Sequence, residues 1–392
     1  MSSCNFIDNH ATYGDNDFWY YTVDDFLNNY DQINDFDYVL ILSNGIGTPN
    51  STIVLNKKGV TISTNGVVTF DAKGGNVHFE VTGDNILIEK ITFRNFNFTG
   101  YGGAILWTGN NGILRNCNLI NNTVNLAGGA IEWMGRNGSL SSCNFNGNIA
   151  FYGGAIHWYG GAINGSISNC NFAYNSADTV GAIYWDGANG SLTYCNFAYN
   201  SADAVGAIEW DGANGIIASC NFTSNTAKDY GGATFWIGDN GIISDSIFTD
   251  NYVDQNGGGV YCRASNGIIK DSIFIDNGAG WFGGAVYCDR WSTNCILSYC
   301  TFINNTAAGN GGAVYWVPVG SMLNCNFLGN KWSSIDESNN GIYANNTLNI
   351  NGGRGIVYIY VDAILSGISI IVLNNETYYY PPNSNINLPN KK

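Results

Sequence analysis

The sequence predicts an all-β fold, a parallel β-helix built of coils of about 25 residues, and three observations predict it. One phrase recurs nine times between Gly102 and Asn330: GGAI or a close variant, a Trp, an Asn-Gly, a Cys-x-Phe, and an Asn three residues after the Phe. Two landmarks keep step through those copies. The first runs Ala104, Ala130, Ala155, Ala182, Ala207, Ala233, Gly259, Ala285 and Ala313, a period of 25 to 28 residues; the second runs Leu119, Phe145, Phe172, Phe197, Phe222, Phe248, Phe274, Phe302 and Phe327. Within a copy, short alternating runs such as GGAIEW and SLSSCNF are broken by Gly and Asn, the pattern of strands and turns. No ten-residue stretch within a copy carries the i, i+3, i+4, i+7 apolar pattern of a helical solenoid.

Strand alternation assigns the faces of each coil. After GGA comes Ile, Thr or Val, and two residues later a Trp, replaced by Cys262 and Cys288 in two coils; these positions face inward. The residue between them is Leu106, Glu132, His157, Tyr184, Glu209, Phe235, Tyr261, Tyr287 and Tyr315, a set so varied and polar that it is expected to face solvent. In the second half Cys and Phe share the inner face. The Asn that closes each copy, from Asn122 to Asn330, is expected at a bend, where it tolerates left-handed backbone and its amide bonds the adjacent coil.

The remaining segments divide around this array. Residues 1–21 hold a partial repeat, with Cys4, Phe6 and Asn9 in the usual slots, and a connecting segment; the chain is therefore expected to begin inside a longer, multidomain array. Residues 22–98 hold a candidate helix capped by Thr22 and Asp25, with Val23, Phe26, Leu27 and Tyr30 on one face, and then the strand-like runs YVLIL, TIVL, VTIS, VVTF, VHFEV and ILIEKITF. A short amphipathic helix there either covers the open end of the rod or is an ordinary surface helix. Regular coils occupy 99–330. Residues 331–392 form a C-terminal cap and the opening of a following β domain, with GISIIVL and TYYY as a hairpin. The apolar stretch 355–373 carries Asp362 at its centre and alternates in GIVYIYV, so no stable membrane span is expected.

Only 11% of the residues are charged, yet the net charge is -15, which leaves no basic patch for nucleic acid. Of the 11 Cys, eight occupy the Cys-x-Phe slot, where Ser246 and Ser272 also occur; they read as small buried thiols. Cys262, Cys288 and Cys295 fall elsewhere, and a disulfide between the first two stays open at this stage. With no C-x-x-C spacing, neither a metal nor a cofactor is expected. The N-terminus MSSCNFIDNH has neither the basic start nor the apolar run of a signal peptide.

GGA[ILV] paired with F-x-x-N resembles the polymorphic outer-membrane protein repeats of chlamydial adhesins. The fuller wording GGAI-x-W, NG and C-N-F is similar to adhesin-like surface proteins of methanogenic archaea, over roughly Phe93 to Asn330. The resemblance implies a right-handed parallel β-helix, pectin-lyase-like in class, and an extracellular, cell-surface role in attachment. Its motif marks scaffold, so it assigns no binding residue.

Two functions are therefore weighed, beside a purely structural stalk. For a binding module, Tyr184, Phe235, Tyr261, Tyr287 and Tyr315, with Glu132, His157 and Glu209, offer stacked aromatic faces and polar edges one coil apart for a surface carbohydrate or protein ligand. For a polysaccharide lyase or hydrolase, Asp186 and Asp211 follow the Trp in neighbouring coils and stand near Glu209, close enough for one carboxyl to raise the pKa of another. Catalysis also needs a walled cleft, and the coils vary too little in length to promise one; no catalytic residue is assigned.

Overall fold

A computed structural model describes residues 22–318 and 320–331 in full, together with the backbone of short strands at 18–19, 332, 342–344, 348–354, 364–366, 370–373, 376–379 and 386–387. The partial repeat with Cys4, Phe6 and Asn9 and most of the apolar stretch 355–373 lie outside these residues. Among the described residues, no helix is long and apolar enough to cross a membrane.

The chain winds into a parallel solenoid whose wall has three sides. One side is a 12-stranded sheet that begins with Ile53–Leu55 and Phe79–Val81 and continues through Ile105–Trp107 to Val314–Trp316 and Ile342–Ala344; it is called the Trp sheet below. A second side, the Phe sheet, stacks strands such as Ser191–Thr193 and Asn196–Ala198. The third is a narrow 10-stranded sheet of two-residue strands such as Ser201–Ala202. Registers are strict: Ile208 pairs with Ile183, and Trp210 with Trp185, one coil away.

Because each residue stacks on its counterpart, the core is a set of ladders. The Trp107, Trp133, Trp158, Trp185, Trp210 and Trp236 rings stack at 4.4 to 5.1 Å between centroids. Phe145 to Phe327 form a second stack at 4.6 to 5.0 Å. Each closing Asn is fully buried. Its N–H and Nδ2 both donate to the Oδ1 of the next coil's Asn, at 3.0 and 2.9 Å for Asn148 onto Asn175, and Nδ2 also reaches the Leu119 carbonyl at 2.9 Å. The amide ladder is thus as the sequence suggested, but the left-handed residue is the one before it. Asn121, Tyr174, Tyr199 and Asn304 take φ near +55°, leaving the ladder Asn free to aim its amide along the axis.

The slot thiols among the described residues are free and buried, and burial pushes Cys117, Cys220 and Cys300 toward the neutral form. Cys262 and Cys288 are in register but unbonded. At the N-terminal end, helix α1 (Val23–Asn29) closes the solenoid. Thr22 and Asp25 exchange capping bonds at 3.0 Å in both directions, and the buried Phe26 ring lies 5.4 Å from Phe70. This is an end cap, not a helix on a connecting segment: Val23 packs directly over Gly45 and Gly47. Beyond the coils, Ile370–Leu373 pairs antiparallel with Glu376–Tyr379, the hairpin read from GISIIVL and TYYY.

Candidate functional site

The outer face of the Trp sheet carries the nine variable residues in one file, and the structure corrects how they were expected to sit. Glu132, Phe235 and Tyr261 are buried, at 0%, 4% and 5% exposure, and His157, Tyr184, Glu209, Tyr287 and Tyr315 are half-buried. Strand alternation gave their side correctly but not their cover. The residues that enter each GGA strand fold back over one edge of the file: Val180 and Val205, fully buried, join Phe235 and Tyr261 in a second apolar cluster with Tyr230 and Ile237 against it. Asp186, Asp211, Arg263 and Asp289 follow the inward-facing Trp or Cys and line the other edge. The file is therefore the floor of a trough that runs along the rod axis.

The first half of the floor is polar. The buried Glu132 carboxylate receives His157 Nδ1 at 2.9 and 3.0 Å, and the imidazole stacks on Tyr184 at 5.0 Å. Tyr184 donates its hydroxyl to Asp211 Oδ2 at 3.1 Å. The other Asp211 oxygen is buried with no partner. Asp186 stands one coil away over Gly160, where a Cβ would meet its Oδ2 at 2.7 Å. Three carboxyl groups thus converge on Tyr184, whose hydroxyl is pushed up by burial and by the charges of Asp211, Glu209 and Asp186. Burial, and then the charge of Asp211, push Glu209 up to about 8, with Arg263 opposing. Burial also raises Asp211, with a further push from Asp186, against the hydrogen bond from Tyr184. Glu209, held protonated near neutral pH, donates a hydrogen bond, and the carboxyl oxygens beside it accept one.

The second half is aromatic and largely given over to packing. Phe235 meets Tyr261 edge-on at 4.9 Å, Tyr261 lies 4.7 Å from Tyr287, and Tyr287 stacks on Tyr315 at 5.1 Å. The Tyr261 hydroxyl is held by Asp289 at 2.9 Å, and Arg263 Nε by the same oxygen at 3.0 Å. Tyr261 is thus a floor strut, whereas Tyr287 keeps an open edge. Among the described residues, no group of three or more His, Cys, Asp or Glu is disposed to hold a metal ion.

Sequence reasoning missed two features of the trough walls, although the spacing carried a signal. The turn from Trp to the Gly of Asn-Gly is two residues longer after Trp158 and after Cys288 than after Trp133 or Trp210. These longer turns carry Tyr159, 46% exposed, and Trp291, 63% exposed, in the His157 and Tyr287 coils, the third and eighth of the file. A separate surface trough of about 440 Å³ on the narrow sheet has a floor of Ser176, Ser201 and Thr226 between Ile149 and Tyr252. An exposed Lys228–Asp203 pair at 2.6 Å lies on it, and none of the convergent carboxyls reaches it.

Residues 154–316 match the family described as a right handed beta helix region. The right-handed β-helix reading of the sequence therefore stands. No curated protein matches the sequence. Among solved structures, the β-helix is similar to a mannuronic acid specific polysaccharide family 6 lyase enzyme from human gut microbiota, with TM-score 0.56 and 12% identity over 82% of this chain and 88% of the other. It is also similar to the alginate lyase AlyF-OU02, solved in complex with G6, with TM-score 0.57 and 12% identity over 91% of this chain and 88% of that one. At such identity the likeness is one of fold.

Proposed function

We propose that this β-helix is a glycan-binding module of cell-surface attachment, with its ligand in the trough outside the Trp sheet. The observation that carries the reading is the convergence of Tyr184, Asp186, Glu209 and Asp211 beside the Glu132–His157 pair. A protonated carboxyl, carboxylates and a phenol are gathered on one rigid floor, with exposed aromatics on the two longer turns. Sugar hydroxyls both donate and accept, so a site that offers both senses next to apolar ring faces suits them. The extracellular location rests on the resemblance of the repeats to surface adhesins; antibody labelling of intact source cells tests it. The binding itself is tested on a glycan array with the purified chain and a Glu209→Gln/Asp211→Asn variant. Selective retention that the variant loses supports the module. A folded chain that retains no glycan returns it to a structural stalk.

A second reading is favoured by one observation. Two neighbouring carboxyls in different surroundings, Glu209 held up to about 8 by burial and Asp211 hydrogen-bonded to Tyr184, are placed as an acid–base pair would be. Both structural neighbours are named as lyases, one mannuronic acid specific and one an alginate lyase, which makes polyuronates the substrates to try first. Release of unsaturated uronate ends from alginate, abolished by Glu209→Gln, establishes cleavage. Intact alginate after prolonged incubation with chain that binds it leaves the module reading alone.

A further inference from the structure

Seven of the nine fully described Trp side chains lie in the core of the rod: Trp107, Trp133, Trp158, Trp185, Trp210, Trp236 and Trp316 are all at 2% exposure or less. Trp281 and Trp291 are 55% and 63% exposed. They belong to the same coil, Trp281 five residues before the strand Val286–Cys288 and Trp291 three residues after it; the middle residue of that strand is Tyr287. We propose that Trp281 and Trp291 flank Tyr287 as the sugar-stacking end of the trough, taking pyranose rings of a glycan chain, with Arg290 placed to favour an acidic sugar. This inference rests on the glycan-binding reading and names where, and by which contacts, the ligand is held.

Three features show that this end is built. First, the turn that carries Trp291 is pinned from beneath. Asp289, only 5% exposed, accepts from Tyr261 Oη at 2.9 Å and from Arg263 Nε at 3.0 Å. Buried Ser292 donates its N–H to the Asp289 carbonyl at 3.0 Å and its hydroxyl to the Cys262 carbonyl at 3.1 Å. An exposed indole on a turn with buried polar anchors is pre-organised, so a ligand loses less freedom there than on a loose loop. Second, the interior of this coil departs from that of the regular ones. In the regular coils a Cβ on the Gly of Asn-Gly would run into the Trp indole, as at Gly190 and Gly215. Here Cys288 takes the Trp place and Cys295 the Gly place. Third, Trp281 replaces Gln255 of the preceding coil in register, its N–H on the Gln255 carbonyl at 2.8 Å, and its neighbour Phe282 stacks on Tyr315 at 4.8 Å.

The occupant follows from what surrounds the rings. A large apolar protein patch would want apolar neighbours, but the Trp291 indole lies against Arg290, on the turn whose Asp289 holds Arg263 and Tyr261. The Arg290 guanidinium lies 5.0 Å from the Trp291 ring centre and leaves the other ring face to a ligand. A sugar presents an apolar C–H face to an indole and hydroxyls to the charged groups around it. Arg290 is also one of only 15 basic residues in a chain of net charge -15, so a cation here is unlike most of the surface.

The test is a binding titration read by tryptophan fluorescence and by calorimetry, with alginate as the polyuronate arm and a soluble neutral β-glucan as the other. The full chain is compared with Trp281→Ala/Trp291→Ala, Trp281→Phe/Trp291→Phe and Arg290→Met. Because both indoles are exposed, the variants are expected to keep the wild-type melting temperature. The double Ala variant is expected to bind at least about tenfold more weakly, with the Phe variant recovering most of the affinity. Arg290→Met is expected to weaken the alginate arm alone. Wild-type affinity in the double Ala variant overturns this placement and leaves the glycan-binding reading standing. No binding of either polymer or of any array glycan by the folded wild type overturns both.

Discussion

The two faces of the Trp sheet are made by the same strands, and they obey different rules. On the inner face of Ile208–Trp210, Ile208 and Trp210 meet copies of themselves in the preceding coil. On the outer face, Glu209 lies between Tyr184 and Phe235, and neither neighbour repeats it. An inner residue is clasped by identical neighbours along the axis, so changing one breaks a stack. An outer residue answers only to the turns that fold over it, so each coil is free to place its own chemistry there. The scaffold is therefore encoded in what recurs, and the site in what does not.

The sharpest way to break that contrast is a pair of truncations in one strand. Trp210→Ala removes a fully buried ring stacked at 4.4 Å on Trp185 and 5.1 Å from Trp236, and is expected to cost about 3 to 5 kcal/mol of stability in denaturant melts. Glu209→Ala, one residue away on the outer face, is expected to cost less than about 1 kcal/mol at pH 7. Equal losses would mean that the outer floor contributes to the fold as heavily as the ladder does.

Protonation sharpens the contrast next. Glu209 is held up to about 8, against an ordinary 4.5, by burial and the charge of Asp211. Below 4.5 both folded and unfolded chains carry the proton. Between 4.5 and about 8 the unfolded chain has released it while the folded chain retains it, so stability falls as pH rises and levels off above 8. Each tenfold difference in proton affinity between the two states corresponds to about 1.4 kcal/mol, and partial exposure of the side chain reduces the total to about 2 kcal/mol. Glu209→Gln is expected to flatten this decline in thermal melts across the window. An unchanged pH profile would show that Glu209 is ionised in the folded chain, and would remove the donor on which the proposed site depends.

A smaller test concerns the interior alone. Gly215 packs beneath the Trp210 indole, and Gly215→Ala is expected to cost about 1 to 3 kcal/mol. At Gly267 the Trp is absent and an added Cβ would sit 3.4 Å from the Ala264 Cβ and 3.6 Å from Cys262 Sγ, so Gly267→Ala is expected to be near neutral. Similar costs at both positions would place the demand for Gly in the turn backbone instead of in the indole.

These rules also explain what was legible in the sequence. The Trp, Phe, Cys and Asn ladders could be read directly, because periodic identity and inward alternation are the same constraint seen in one dimension and in three. The outer side of Glu132, Phe235 and Tyr261 was legible too, but not their burial. That depends on Val180, Val205 and Tyr230 returning over the sheet, and no local pattern in the strand records it. The convergence of Asp186, Glu209 and Asp211 was suggested by their positions in adjacent coils, whereas the raised proton affinity of Glu209 needed the walls. Trp281 and Trp291 were hidden differently: in a sequence where Trp marks the core, two exposed ones look like more of the same until the two-residue extension after Cys288 is measured against its neighbours.

The smallest expected effect lies on the inner face of the Trp sheet, at Thr234. Thr234 occupies the slot filled by Ile208 and Val260 in the adjacent coils, and its hydroxyl is buried with no partner. A buried hydroxyl without a hydrogen bond has lost its water and received nothing in exchange, so Thr234→Val should gain about 1 kcal/mol while keeping the β-branched shape. A rise in melting temperature without any change in glycan binding would confirm that the inner face is tuned only for packing. Loss of binding in this variant would instead show that the two faces are coupled through the strand, since Thr234 is the immediate neighbour of Phe235 on the trough floor.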